Sequence, residues 1–321
     1  MKAFKILATT LLILLCSWSS LEAQQLFRRT QYVFNPYLAN PAVAGTKSFT
    51  PVMASYRQQW AGFNGAPTTY TISAHTNLPN GLGAGLIIFN DDAGGAISRT
   101  GAEITGSYKV DLNNEDQVSF GLSGVVSRFQ FDNNTLEVLD QNDPNLAAGI
   151  ENKTNFDANF GLMVYGRQYF YGFSIDRLFQ SEVGITTISE LTKNQNRRHF
   201  NVMASYDYDI DDKLTFQPSA LLRFTGLTPV QFDVHMKGIY QESFWLGVSY
   251  RHQDALAPSF GIKVGDFLAG YSYDITTTKS VRELSPHTHE INIGYRIPKG
   301  DPRFKSQNSI GKRRISKSRL R

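Results

Sequence analysis

Apolar residues recur at every second position along most of this chain downstream of residue 50. The clearest stretch is 200–224, FNVMASYDYDIDDKLTFQPSALLRF. Phe200, Val202, Ala204, Tyr206, Tyr208 and Ile210 share one face, opposite Asn201, Ser205, Asp207 and Asp209, with Met203 the single apolar exception. Asp211 and Asp212 make a turn, and alternation resumes with Leu214, Phe216, Pro218, Ala220, Leu222 and Phe224 against Thr215, Gln217, Ser219 and Arg223. Side chains on a strand alternate faces, so this is a hairpin with one apolar and one polar side. Arms of about ten residues suit a tilted strand crossing a bilayer. Strands of soluble sandwiches are typically shorter, about five or six residues.

The same pattern predicts fourteen strands, near 50–60, 67–78, 82–91, 97–112, 117–130, 156–166, 168–176, 198–210, 214–224, 229–240, 242–251, 256–265, 267–276 and 287–297. Connections after even-numbered strands are short (79–81, 113–116, 167, 211–212, 241, 266). Most after odd-numbered strands are longer (61–66, 92–96, 131–155, 177–197, 277–286). Short turns on one rim and long loops on the other belong to outer-membrane barrels, with the short turns in the periplasm. An even strand count also returns both ends of the barrel to the short-turn side. The expected fold is therefore all-β: a transmembrane antiparallel up-and-down β-barrel of about fourteen strands, preceded by an irregular N-terminal segment. Parity assigns Arg57, Gln59, His75, Glu103, Lys109, Arg128, Asp157, Asp207, Arg223, Asp233, His235, Lys237, Arg251, Lys263, Asp274 and Arg296 to the lumen. It assigns Phe120, Leu122, Val126, Phe160, Leu162, Phe244, Leu246, Ile291 and Ile293, among others, to lipid. Pro218 lacks a ladder donor and suggests a bulge.

Composition agrees. With 41% hydrophobic residues and a negative mean hydropathy, a bundle of membrane helices is excluded, but a barrel, in which only alternate residues face lipid, is not. Lys2 and Lys5 precede an apolar core at 6–15, and small polar residues follow to Ala23. This reads as a secretory signal over 1–23. Leu15 before Cys16 argues against a lipobox, and no cysteine follows Cys16, so disulfides contribute nothing to the exported chain. The formal charge of +4 is misleading, because 299–321 carries nine basic residues and one acid, leaving the rest of the chain net acidic. The basic balance describes a tail and not a nucleic-acid-binding domain. The domains expected are 1–23 signal, 24–48 irregular segment, 49–297 barrel and 298–321 disordered basic tail. The tail either aids solubility or is drawn to anionic lipid headgroups or an acidic partner.

Two blocks near the front are more than generic barrel: QYVFNPYLANPAVAG at 31–45 and RQQWAGFNGAPTT at 57–69. The steps Asn35-Pro36 and Asn40-Pro41 favour extended or turn backbone and forbid a helix across them. A barrel of fourteen strands is too wide for its own side chains to fill, so something closes it or it conducts. The segment 24–48, with Phe34, Tyr37 and Leu38, is either a plug or an unstructured periplasmic stub. Arg57 and Gln59 share the lumen face and are placed to hold a plug. The loop from Trp60 through Gly62 and Gly65 to Pro67 is either a binding loop or an interfacial anchor. Candidate plug or partner residues are thus Asn35, Pro36, Asn40, Pro41, Ala42, Gly45, Arg57, Gln59, Trp60, Gly62 and Gly65.

Together the two blocks resemble the PorP/SprF family of the type IX secretion system of Bacteroidetes, and HEINIGY at 289–295 is similar to that family's last strand. The resemblance runs from about 24 to 297. It implies an outer-membrane component supporting secretion or surface attachment of a cognate adhesin or gliding-type protein. The implied partners are other type IX components and that protein's C-terminal sorting domain. The alternative is a porin or FadL-like transporter of a small solute. No GxSxG, HExxH, Walker loop or paired-cysteine motif occurs, and no enzyme activity, cofactor or metal is expected. His287 and His289 share a face but lack a third ligand, which suits a polar rim better than a metal. The run 140–143 lacks calcium-loop spacing.

Overall fold

A computed structural model describes residues 30–62, 64–135, 149–181, 196–226, 230–277 and 287–299. The signal-like segment 1–23, the run 140–143 and the tail beyond Lys299 lie outside these residues. Fifteen ladder segments form one antiparallel sheet closed on itself. They are β1 Thr50–Gln58, β2 Thr68–Asn77, β3 Leu82–Asp92, β4 Ile97–Asp111, β5 Gln117–Asp132, β6 Ile150–Tyr165, β7 Tyr169–Asp176 and β8 His199–Tyr206. Then follow β9 Tyr208–Asp209, β10 Leu214–Phe224, β11 Gln231–Tyr240, β12 Phe244–Arg251, β13 Ala255–Val264, β14 Phe267–Thr276 and β15 His287–Ile297. β8 and β9 are two pieces of one strand, both pairing with β10, so the wall has fourteen strands. Each strand pairs with its chain neighbours, and β1 pairs with β15 to close the ring, Thr50 opposite Ile297 and Gln58 opposite His289.

Closure removes every free edge. No helix among the described residues is long and apolar enough to cross a membrane, and the wall crosses with strands instead. Its outer face is apolar: Ile104 is 69% exposed, and Leu122 and Ile293 are each 58% exposed. Its inner face is polar, with Ser119, Ser123, Ser174 and Ser272 essentially sealed from solvent. This is the inverse of the water-soluble pattern, and the closed ladder pairs the backbone where lipid offers no partner.

Three details differ from the expectations. The connection 131–155 is shorter than expected, since β5 and β6 are sixteen residues each and pair from Gln117–Tyr165 out to Asp132–Ile150. A spanning strand needs about 9–11 residues, so this hairpin projects beyond the apolar belt. Arg128 is not in the lumen, because it shares the outward parity of Leu122 and Val126 on β5. It points outward on the projecting part, where its Nε donates to Asn152 Oδ1 at 3.1 Å. Pro218 makes no bulge: Ser219–Ser205 on one side of it and Phe216–Tyr208 on the other keep one register. The missing N–H opens a gap that splits the eighth strand at Asp207, whose carboxylate accepts from the Gln217 amide.

Leu122 sits at the middle of the outward apolar run of β5. Leu122→Arg is expected to destabilise the barrel by about 2–4 kcal/mol, against about 0–1 for Tyr208→Arg near the short-turn rim. Urea unfolding in lipid vesicles measures both; equal losses would mean that the two positions do not differ in depth as described.

Candidate functional site

Residues 30–48 run inside the closed wall as three short 3-10 turns, Thr30–Val33, Pro36–Leu38 and Pro41–Val43. Each Asn-Pro step starts one of them. Asn35 and Asn40 are non-helical, as residues before proline tend to be, and proline opens the turn where its missing N–H costs nothing.

Irregular backbone inside a barrel needs partners for its polar groups. Asn40, fully buried, accepts from Ala42 N at 2.9 Å. Its amide donates to two wall carbonyls, Leu162 O at 3.1 Å and Phe173 O at 3.3 Å. Asn35 Nδ2 donates to Ser73 Oγ at 2.7 Å. Wall hydroxyls supply further partners: Ser107 Oγ donates to Ala44 O and Ser174 Oγ to Ala39 O, both at 2.7 Å. The Tyr37 hydroxyl bonds Thr105 at 2.6 Å, and Thr105 continues to Ser123 at 2.8 Å. Burial pushes the Tyr37 phenol well above its ordinary pKa, so it remains a neutral hydroxyl.

The wall is hollowed to receive this segment. A Cβ on Gly161 would lie 2.1 Å from Asn40 Oδ1, one on Gly121 2.3 Å from the Pro41 carbonyl carbon, and one on Gly85 2.3 Å from the Tyr37 hydroxyl. Gly45 has φ +74°, and a Cβ there would lie 2.7 Å from Gly83 Cα; its N–H points to His75 Nδ1 at 3.3 Å. Apolar wall residues complete the seat. Ile87, Phe89 and Met163 pack with Tyr37, Ala42 and Val43, while Met203 and Leu221 pack with Tyr32. Met203, the apolar exception on the polar face, is thus a wall residue under the segment.

The second block lies elsewhere. Arg57 reaches across the seam that closes the barrel: Nη1 to Glu290 of β15 at 2.9 Å and Nη2 to Asp274 of β14 at 3.0 Å. Asp274 also meets Arg251 at 3.4 Å, which in turn contacts Asp254 at 2.6 Å and Asp233 at 3.7 Å, while Arg223 lies 3.5 Å from Asp233. These ion pairs lie within the wall, because β14 and β15 bring carboxylates to Arg57's side of the lumen. Gln59 N donates to Pro67 O at 2.8 Å and closes the loop. Trp60, at φ +56°, donates its N–H to Thr288 Oγ1 at 3.1 Å. Gly62 and Gly65 also have positive φ, and Gly65 O occupies the place of a Cβ on Gly94. These residues belong to the long-loop rim. His287 and His289 bond Tyr273 and Tyr271 of the neighbouring strand, Tyr271 to His289 at 2.7 Å.

The structure therefore brings Asn35, Pro36, Asn40, Pro41, Ala42 and Gly45 together in the lumen and sets Arg57, Gln59, Trp60, Gly62 and Gly65 apart from them. The sequence reading missed the glycines of β3, β5 and β6 that receive the segment. Their signal was glycine on the inward parity, which an unfilled lumen does not require.

A closed wall of antiparallel strands, apolar outside and occupied inside by its own N-terminal segment, defines an outer-membrane β-barrel. The chain belongs to the family of type IX secretion system membrane proteins PorP/SprF, whose model matches residues 21–295. That family is one of secretion-system barrels and not of enzymes. No curated protein matches the chain. Among solved structures it is similar to a FadL homologue of Pseudomonas aeruginosa, with 10% identity over 81% of this chain and 92% of that one and a TM-score of 0.50. The toluene transporter TbuX of Ralstonia pickettii gives the same values. These likenesses show a shared barrel fold.

Proposed function

We propose that this barrel serves the type IX machinery as a docking platform and not as a conduit. In this reading it supports secretion or surface attachment of a cognate adhesin or gliding-type protein by engaging its C-terminal sorting domain together with other secretion components. The observation that carries the reading is the filled lumen. The N-terminal segment is seated against β2–β8, and a buried ion-pair network spans β10–β15 and β1 nearer the long-loop rim. A solute pathway needs a continuous polar bore, and here fixed contacts interrupt the interior. Family membership supports the secretion context; the FadL-like fold is a scaffold that hosts more than one function.

The topology that goes with this function has the signal removed, both mature termini and the short turns in the periplasm, and the long loops outside. Tags inserted within 136–148 or 182–195 are expected to be labelled on intact cells, and one at 113–114 only after permeabilisation. Affinity isolation of the full chain from its native outer membrane is expected to recover type IX components and a secreted protein. Recovery of the latter should be lost when its C-terminal sorting domain is removed. Unchanged secretion and surface attachment in cells lacking the chain would contradict the docking role.

A further inference from the structure

Between the N-terminal segment and the short-turn rim the lumen stays open as a cavity of about 330 Å³. Four cationic side chains line it: Lys47 from the segment itself, Lys237 from β11, Lys263 from β13 and Arg296 from β15. The one carboxylate among the lining residues is Glu242, largely exposed and 3.9 Å from Lys263 Nζ. Asp207 and Asp266 act on these cations from beside the cavity. Among the described residues no carboxylate stands at ion-pair distance from Lys47 or Lys237. Lys237 is only 9% exposed, and its neighbour is the Phe34 ring, 5.7 Å from Nζ. Arg296 lies over the Phe49 ring at 4.9 Å. Two further polar groups of the lining, the buried Trp245 Nε1 and Ser219 Oγ, have no protein partner among the described residues.

An uncompensated cation held away from bulk water costs free energy that a bound anion returns. Lys47 shows the cost. Its ammonium is open to the cavity yet walled in by the barrel, and burial lowers its pKa while Asp207 opposes the shift and Arg296 adds to it. The cations stand on four different elements, with Phe34, Phe49 and Trp245 among them. That spacing matches several carboxylates carried beside apolar side chains better than one compact anion. A phospholipid reaches the cavity only by leaving the bilayer, because the wall is closed. The volume falls within the range of small-ligand sites.

We propose that this cavity receives a short acidic peptide segment, rich in aromatic or aliphatic residues and presented from the short-turn side. The inference rests on the docking reading above and gives it a place and a chemistry. The test uses the full-length mature chain in detergent micelles, with Trp60→Phe so that Trp245 reports. The probes are a blocked hexapeptide alternating aspartate with phenylalanine, its lysine counterpart, and inorganic phosphate. The acidic peptide is expected to shift Trp245 emission and to bind at least about tenfold more tightly than either control. Its affinity is expected to fall by a similar factor in Lys47→Gln/Lys237→Gln and with added salt. Lys263→Gln, at a partly exposed position, provides a variant that disturbs the buried wall less and is expected to weaken binding less. Absent binding, or binding unaffected by all three substitutions, overturns the proposal. Phosphate binding as tightly as the peptide overturns the peptide assignment. A double variant that loses the peptide yet still co-isolates the secreted protein ends this inference and leaves the docking reading standing; a parent that co-isolates no secreted protein ends the docking reading itself.

Discussion

Arg57→Ala is expected to cost about 3–5 kcal/mol and to impair closure of the barrel, the largest effect of any single truncation in the lumen. The guanidinium is buried and joins β1 to β15 through Glu290 and to β14 through Asp274, across the seam where the first and last strands meet. Truncation leaves two buried carboxylates sharing what remains of the network, with Arg251 3.4 Å from Asp274. Glu290→Gln introduced with Arg57→Ala removes one stranded charge and is expected to recover part of the loss. The shift of electrophoretic mobility on heating, followed against urea, reads both variants. A parent-like unfolding midpoint for Arg57→Ala would show that the seam does not depend on this pair.

The second large effect is expected from Gly161→Val and Gly121→Val. A Cβ at either position would stand within 2.3 Å of the Asn40-Pro41 step, closer than heavy atoms tolerate. The ladder leaves the wall little room to move, because Gly121 and Gly161 face each other in the β5–β6 pairing. The N-terminal segment must yield instead. Overpacking costs about 1–3 kcal/mol, and expulsion adds the loss of the Asn40 bonds to Ala42, Leu162 and Phe173. The expected outcome is a barrel that still forms, with residues 30–45 newly open to protease from the short-turn side. Gly124→Val, on the outward parity of β5 with nothing within 4 Å of its Cβ, is the control and should leave the segment protected. Protection unchanged in the Gly161 and Gly121 variants would contradict the seating described above.

Period-two alternation carried most of the fold. Strand positions, short and long connections and the two faces all follow from which residues can meet lipid, and that rule acts one residue at a time. What the rule does not contain is the occupant of the lumen. Met163, Met203 and Leu221 break the polar face because Tyr32, Tyr37 and Val43 lie against them, and nothing in the strands says which distant segment supplies those rings. The Arg57 partners lie more than two hundred positions away, so its lumen parity was legible and its partner was not. Arg128 failed for a different reason. Parity persists along β5 beyond the apolar belt, where an outward arginine meets water and Asn152. Pro218 was rightly singled out as a ladder defect, but constant register turned the expected bulge into a gap. The two Asn-Pro steps were legible as turns from the restriction that proline imposes, and the glycines that accommodate them were not.

The account turns on the lumen being closed by the protein's own N-terminal segment. Single-channel recording in planar bilayers tests this most directly, comparing the parent with a form lacking residues 30–45 but retaining the barrel from Thr50 onward. Those residues contribute no rung to the ladder, so the wall is expected to assemble without them. The account predicts a silent parent and steady conductance in the shortened form. A parent that conducts freely, or a correctly assembled shortened form that stays silent, would contradict it.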